Sequence, residues 1–194
     1  MKSMRKIIVS NLVSLDGFMA GPNGEIDWFL WNEETAQYAK ELAESIDTIL
    51  FGRVTYELMA SFWPTPAADS EDPVITAYMN DTAKIVFSNT LEKADWKNTK
   101  VVKEINPEEI LRMKQKPGKN LVIYGSGSLV SSLTQLGLID DYLIFINPVV
   151  LGHGKPLFKG LKDRHLLKLI NTKIFKNGVV LLHYEPDKKA KEAS

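Results

Sequence analysis

The sequence predicts an α/β protein in three layers, with helices on both faces of a mixed, mostly parallel sheet. Three observations predict it. Strand-like and helix-like segments alternate through the first two thirds of the 194 residues. The chain then ends in two apolar, β-rich runs around Asn177-Gly178, a hairpin signal, which adds an antiparallel pair. No linker or repeat interrupts the pattern, so residues 1–194 are expected to form one domain, with a core over about 6–185 and a flexible tail over 186–194.

Taken in order, Ile7 to Val13 is short and β-branched and runs into Asp16-Gly17, a strand and then a turn. Pro22-Asn23-Gly24 is a second turn. Glu33 to Glu44 is rich in helix formers, with Tyr38, Leu42 and Ser45 along one side. Ile46 to Phe51 is a buried strand ending at Gly52, and a short helix follows through Thr55 to Ala60. Phe62 to Pro73 holds three prolines among small and acidic residues and is expected to be a loop. Ile85 to Phe87 and Val101-Val102 are short strands. Pro107 suits the first turn of a helix running to Gln115, which Pro117-Gly118 ends. Leu121 to Tyr124 is a strand, Ser128 to Leu136 a helix closed by Gly137, and Tyr142 to Ile146 a strand stopped by Pro148. Lys168 to Phe175 and Val179 to Tyr184 are the arms of the hairpin.

Charge excludes several classes. Twenty-four basic residues balance twenty-four acidic ones, whereas nucleic-acid and anionic-membrane binders carry a basic excess or a long basic run. The one basic cluster, Lys188, Lys189 and Lys191, is expected to be a solvated tail. Cysteine is absent, which removes disulfides, thiolate metal sites and cysteine nucleophiles and suits the cytoplasm. The Ile7-Ile8-Val9 run is too short for a signal-peptide core or a membrane span.

Chemistry is expected where strands end. Gly125-Ser126-Gly127-Ser128 separates a strand from a helix; glycines let a backbone approach a ligand, and free amides at a helix start attract an anion. A tight turn uses glycine for structural reasons too, and the full dinucleotide-binding spacing would need a glycine or alanine at Val130. Gly52 and Arg53 repeat the geometry with a fixed positive charge, and Thr55 adds a hydroxyl. A third strand ends in Ser88-Asn89. In open α/β sheets ligands sit beyond the carboxyl ends of the strands.

The run from Phe51 to Glu57, FGRVTYE, resembles the start of the cofactor helix of dihydrofolate reductases, and Val122 to Ser128, VIYGSGS, resembles their glycine-pair turn. Leu138 to Tyr142 and Pro148 to Phe158 are closer still to the reductase domain of bacterial riboflavin biosynthesis, the RibD C-terminal domain. The resemblance spans about Lys6 to Tyr184 and implies a dihydrofolate reductase-like fold, NADPH as cofactor, a small pterin-, pyrimidine- or flavin-related substrate, and a homodimer. It implies that Gly52, Arg53, Thr55 and the turn Gly125, Ser126, Gly127 and Ser128 meet the cofactor's phosphates. Ser88 and Asn89 would then lie near the 2′-phosphate, Asn11 and Leu12 at the carboxamide, and 14–20 would form a mobile loop. Two further readings stay open: the riboflavin-pathway reductase acting on a ribosylaminopyrimidine phosphate, and a nucleotide-binding protein without turnover.

Departures from the pattern matter. Folate reductases grip the substrate's glutamate tail with an arginine, but the matching stretch here is Asn80-Asp81-Thr82-Ala83-Lys84. The zinc-binding deaminase domain that often precedes the riboflavin reductase has no counterpart in these residues. For a proton donor beside the hydride acceptor, the nearest carboxylates are Asp27, Glu33 and Glu34, where burial beside Trp28, Phe29 or Trp31 would raise a pKa. The competing account of Glu33 and Glu34 is an acidic first turn that favours the helix N-terminus. Trp28, Trp31 and Trp63 are candidates to line a flat pocket. His153 lies between two glycines in a loop, and His165 and His183 show no metal-ligand spacing, so no metal is expected.

Overall fold

The computed structural model describes residues 4–187 and is organised around one eight-stranded sheet. The strands are β1 (Ile7–Ser14), β3 (Ile46–Gly52), β4 (Ala83–Phe87), β5 (Thr99–Val102), β6 (Asn120–Ile123), β7 (Asp141–Asn147), β9 (Leu167–Ile174) and β10 (Val180–Pro186). They lie in the order β5-β4-β3-β6-β1-β7-β10-β9. The first six run parallel, and β10 and β9 close the sheet antiparallel. Two short strands, β2 (Phe18–Ala20) and β8 (Lys155–Pro156), pair beside it.

Side chains alternate across the strands and build two cores. Ile7, Val9, Leu50, Leu121 and Ile123 point to one face, where helices α4 (Pro107–Gln115) and α5 (Gly127–Gln135) cover them with Ile110, Leu129, Val130 and Leu133. Ile8, Ile49, Phe51, Val122 and Phe145 point to the other, under α1 (Glu33–Glu44), α2 (Arg53–Ala60) and α3 (Pro73–Asp81). Phe51 is fully buried there, stacked 6.2 Å from Trp96. Removing its ring would cost about 3–5 kcal/mol by the usual cavity penalty. The three-layer architecture follows from these two buried faces.

The helices begin where the local chemistry allows. Asn32 caps α1, its side chain accepting from Thr35 N at 3.0 Å, and the Thr35 hydroxyl returns the bond. Helix α4 opens at Pro107, as the sequence predicts, and Asn106 caps it. Helix α3 is a correction: nothing was expected of Pro73–Asp81, the end of the proline-rich loop. Asp72 accepts from Val74 N at 2.9 Å and Pro73 takes the first helical position, so the same proline that suggested a loop starts a helix. Before it, Pro66–Ser70 makes a single 3-10 turn. Helix α2 starts at Arg53, two residues earlier than expected.

Lys84, in the stretch that departs from the folate reductases, is 1% exposed. Its ammonium donates to the carbonyls of Asn80, Thr82 and Lys97 and sits 4.4 Å from the Trp96 ring centre, fastening the end of α3 to β4. At the C-terminal hairpin the loop has three residues rather than two. Phe175 and Val179 are joined by a backbone bond, and only Gly178 takes a positive φ, +89°. Strand β10 continues to Pro186 and Asp187 N donates to Leu166 O, so ordered pairing passes the expected boundary at 185. Lys188, Lys189 and Lys191 lie outside the described residues. Strand β9 is the outer edge, with Leu167, Leu169, Ile170 and Ile174 exposed. No helix among the described residues is long and apolar enough to cross a membrane.

Candidate functional site

The chain moves outward from β1 through β3 to β5, then returns to place β6 between β3 and β1. The carboxyl ends of β3, β6 and β1 therefore lie side by side, the position where strand order reverses and open sheets leave a crevice. There stand Gly52 at the end of β3, Gly125 two residues past β6, and Asn11, two residues past the last β1–β6 pair, Val9 with Ile123.

The three ends are locked to one another. Asn11, 2% exposed, accepts from Gly125 N at 2.6 Å and donates to Gly125 O at 2.9 Å. Ser126 Oγ accepts from Gly52 N at 2.9 Å, and the Thr55 hydroxyl accepts from Ser126 N at 2.9 Å. Gly125 has φ +57°, and a Cβ there would lie 2.9 Å from Thr55 Cγ2, so the turn requires glycine on both counts. Gly127 is tight for another reason: a Cβ would meet the backbone carbonyls of Pro156 and Leu157 at 3.1 and 3.0 Å. The side chains of Asn11, Thr55 and Ser126 thus point at the turn itself and fix its shape.

The lock leaves two helix openings next to each other. Gly52 precedes α2 and Ser126, in the left-handed region at φ 55°, precedes α5; neither start has a side-chain cap. The first amides of α5, at Gly127, Ser128 and Leu129, have no intrahelical acceptor, and Ser128 is exposed. Arg53 is exposed at the head of α2, where its guanidinium holds Glu57 through bonds of 3.0 and 2.9 Å. Ser88 and Asn89 stand at the end of β4. The Ser88 hydroxyl accepts from Thr90 N and Leu91 N and shapes that turn, while Asn89 is exposed.

Beside the lock, on the α1–α3 face, lies a cleft of about 540 Å³, in the size range of small-ligand sites. Asn11, Leu12, Thr55 and Gly125 reach it; Gly52, Arg53, Ser88, Asn89, Ser126, Gly127 and Ser128 lie outside its lining. Its walls are apolar and aromatic, with Phe29 and Trp31 from the segment before α1, Tyr38 from α1, Leu58 from α2, Phe62 and Trp63 just after it, and Ile75 from α3. Trp28 is not part of the lining; it packs edge-on against Phe29 and donates to Glu25 O. The wall over 21–32 has no regular structure, and two bonds hold it to the sheet end. Leu30 N donates to Asn147 Oδ1 at 2.9 Å, and Asn177 donates to Leu30 O at 3.3 Å.

The sequence did not single out Tyr78 and Tyr124, yet both line the cleft with their hydroxyls 3.1 Å apart. Burial holds both phenols above the ordinary tyrosine range, Tyr124 up to about 12. An Asp-Pro helix start at Asp72-Pro73 was the readable signal for Tyr78; Tyr124 stands one residue ahead of the glycine turn.

The expected proton donors are elsewhere. Asp27, Glu33 and Glu34 do not line the cleft. Glu33 and Glu34 form the acidic first turn of α1, and Glu34 accepts from Lys176 N at 3.0 Å, turned toward the hairpin. The carboxylates on the lining are Glu71 and Asp72. Asp72 caps α3 and meets Lys40 at 2.5 Å, which holds its carboxyl below the usual range. The segment 14–20, expected as a mobile loop, contributes Phe18–Ala20 to the β2–β8 pair. Asp16 fixes it by accepting from Gly152 N and Leu151 N and from the Ser14 hydroxyl, and these bonds lower its pKa. His153 is exposed in its loop. Folding also brings His183 within 2.6 Å of Asp141, with Glu185 nearby, a grouping that linear spacing hides; Lys6 bridges the two carboxylates at 3.0 and 3.2 Å and supplies their counter-charge.

Comparison with known proteins decides the family. The model of the RibD C-terminal domain matches residues 5–181. The chain belongs to the RibD C-terminal domain family. Within reach of that family it is 36% identical over 184 residues to the uncharacterized protein YyaP of Bacillus subtilis (strain 168), covering 93% of this chain and 94% of YyaP. Among solved structures, a candidate riboflavin biosynthesis protein of Shewanella sp. PV-4 superposes with a TM-score of 0.75 at 24% identity, over 94% of this chain and 99% of that one. Dihydrofolate reductase of Enterococcus faecalis, solved with NADP(H) and RAB-propyl, gives 0.63 at 17% identity, over 94% and 97%. The RibD C-terminal domain family and these structures share the dihydrofolate reductase-like fold that the sequence predicts.

Proposed function

We propose that this protein is an NADPH-dependent reductase of a small heterocycle. The observation that carries the reading is the pair of uncapped helix openings, α2 and α5, held together at the strand ends beside an aromatic cleft. Adjacent free amides and the guanidinium of Arg53 are the donor set a pyrophosphate needs. The glycine turn gives a phosphate room to approach, so the residues present fit the cofactor. Membership of the RibD C-terminal domain family and the dihydrofolate reductase-like fold support the same reading.

When bound, the nicotinamide supplies hydride. Of the chain's own residues, the amides of α5 and Arg53 would hold the phosphates, Asn11 keeps the Gly125 turn rigid at the cleft, and the aromatic walls would exclude water and orient a flat ring. The riboflavin-pathway reductase is the second reading, favoured by the family match. A homodimer is also proposed, with the exposed apolar residues of β9 as its surface; light scattering that returns a monomer mass at micromolar protein would remove it.

Titration calorimetry with NADPH tests the main reading. Stoichiometric heat is expected, with NADH binding more weakly; no heat from well-folded protein refutes it.

A further inference from the structure

The cleft's own walls say more about what enters it. Charged residues on the lining are Glu71, Asp72 and Lys155, two carboxylates and one ammonium. Asp72 is already engaged by Lys40 and by Val74 N. Lys155 stands beside Gly24, where its charge already acts on Glu25 and helps to lower that carboxyl. Arginine is absent from the lining. With Asp72 paired to Lys40 and Lys155 acting on Glu25, an anionic group drawn in from water would lose its hydration and find no unengaged cation on the lining, a cost that only a desolvated cation could offset.

Of the polar side chains on the lining, Asn11 and Thr55 serve the lock and Thr35 the start of α1, whereas Tyr78 and Tyr124 serve one another. Tyr78 comes from α3 and Tyr124 from the end of β6, and their hydroxyls meet at 3.1 Å. In such a pair one hydroxyl donates to the other, whose own proton stays available. Burial keeps both phenols protonated at neutral pH. The pair thus offers a single O–H donor, in a cleft also lined by Trp31, Trp63 and Phe29.

We infer that the cleft takes a flat, largely apolar ring that bears no phosphate or carboxylate and presents one acceptor atom to the Tyr78–Tyr124 hydroxyls. The inference rests on the reductase reading above for the chemistry done on that ring, but its binding test does not. It departs from the riboflavin-pathway reading, whose substrate is a phosphate ester.

Lumichrome, riboflavin and FMN make the test, titrated into the full chain with and without NADPH and followed by quenching of tryptophan fluorescence. Riboflavin and FMN differ only in the phosphate. Lumichrome and riboflavin are expected to bind at least about tenfold more tightly than FMN, since an unpaired buried charge is costly. Tyr124→Phe and Tyr78→Phe are each expected to weaken lumichrome about fivefold, the worth of one neutral hydrogen bond, with circular dichroism unchanged. Lys155→Met should leave all three constants in place. FMN binding as tightly as riboflavin, a selective loss of FMN in Lys155→Met, or no binding of lumichrome up to its solubility limit overturns the inference. Lumichrome binding to a chain that ignores NADPH would refute the cofactor reading and leave this one standing; the reverse pattern would do the opposite.

Discussion

The helix starts of this molecule fall into two groups. Helices α1, α3 and α4 close their own first turns with side chains, Asn32, Asp72 and Asn106. Helices α2 and α5 begin at Gly52 and Ser126 without a side-chain cap, and their starts are fastened to each other through Ser126 and Thr55. The first group lies away from the reversal of strand order, and the second sits on it. A cap satisfies amides that would otherwise recruit an external acceptor. Away from the reversal the chain caps its helices; on it, the chain leaves the first amides open and secures the two helices to each other, as the proposed cofactor site requires.

That contrast can be broken experimentally. The largest effect is expected from Gly125→Ala, which forces a side chain into a left-handed backbone position against Thr55. It should cost about 3 kcal/mol of stability, visible in urea denaturation, and abolish NADPH binding together with it. Arg53→Ala should separate the two properties. Its ion pair with Glu57 is exposed, worth at most about 1 kcal/mol, while a lost charge-assisted contact to a phosphate is about 2 kcal/mol, some thirtyfold in Kd. Calorimetry showing an unchanged constant would take Arg53 out of the site. Asn106→Ala should do the converse, lowering stability by about 1 kcal/mol and leaving NADPH affinity alone.

The smallest effect concerns Lys84, which fastens α3. Burial, offset in part by Asp81, brings its ammonium down to about 8, below its ordinary value. A depressed value means the unfolded chain binds this proton more tightly, so stability rises as pH climbs from about 8 toward the free-lysine range. Urea midpoints for the wild type should therefore gain on those of Lys84→Met between pH 7.5 and 10; a loss over that window would reverse the sign assigned here.

Much of the fold was readable because local and global signals agree. Helices α1 and α4 begin and end where the sequence places them, since Asn caps, acidic first turns and Pro107 all mark the same boundaries. Helix α3 was hidden because proline is ambiguous: Pro64 and Pro66 belong to a loop and a 3-10 turn, while Pro73 opens a helix. The lock at the strand ends was half readable. The residue types at Gly52, Thr55 and Gly125 to Ser128 flagged the place, but not that Thr55 and Ser126 bond across the turn, a contact between residues 71 positions apart. The cleft was least readable. Its walls come from α1, α2, α3 and an irregular segment that no period marks, and the carboxylates nearest in sequence face the hairpin or form a helix start.

The segment 21–32 supplies Ile26, Phe29 and Trp31 to the cleft, yet is stitched to the sheet end mainly at Leu30. Material so lightly attached is easy to swap. Grafting this stretch from one relative to another should reshape the cleft while the lock at the strand ends stays as it is, a modular division of labour that selection, or an engineer, can exploit.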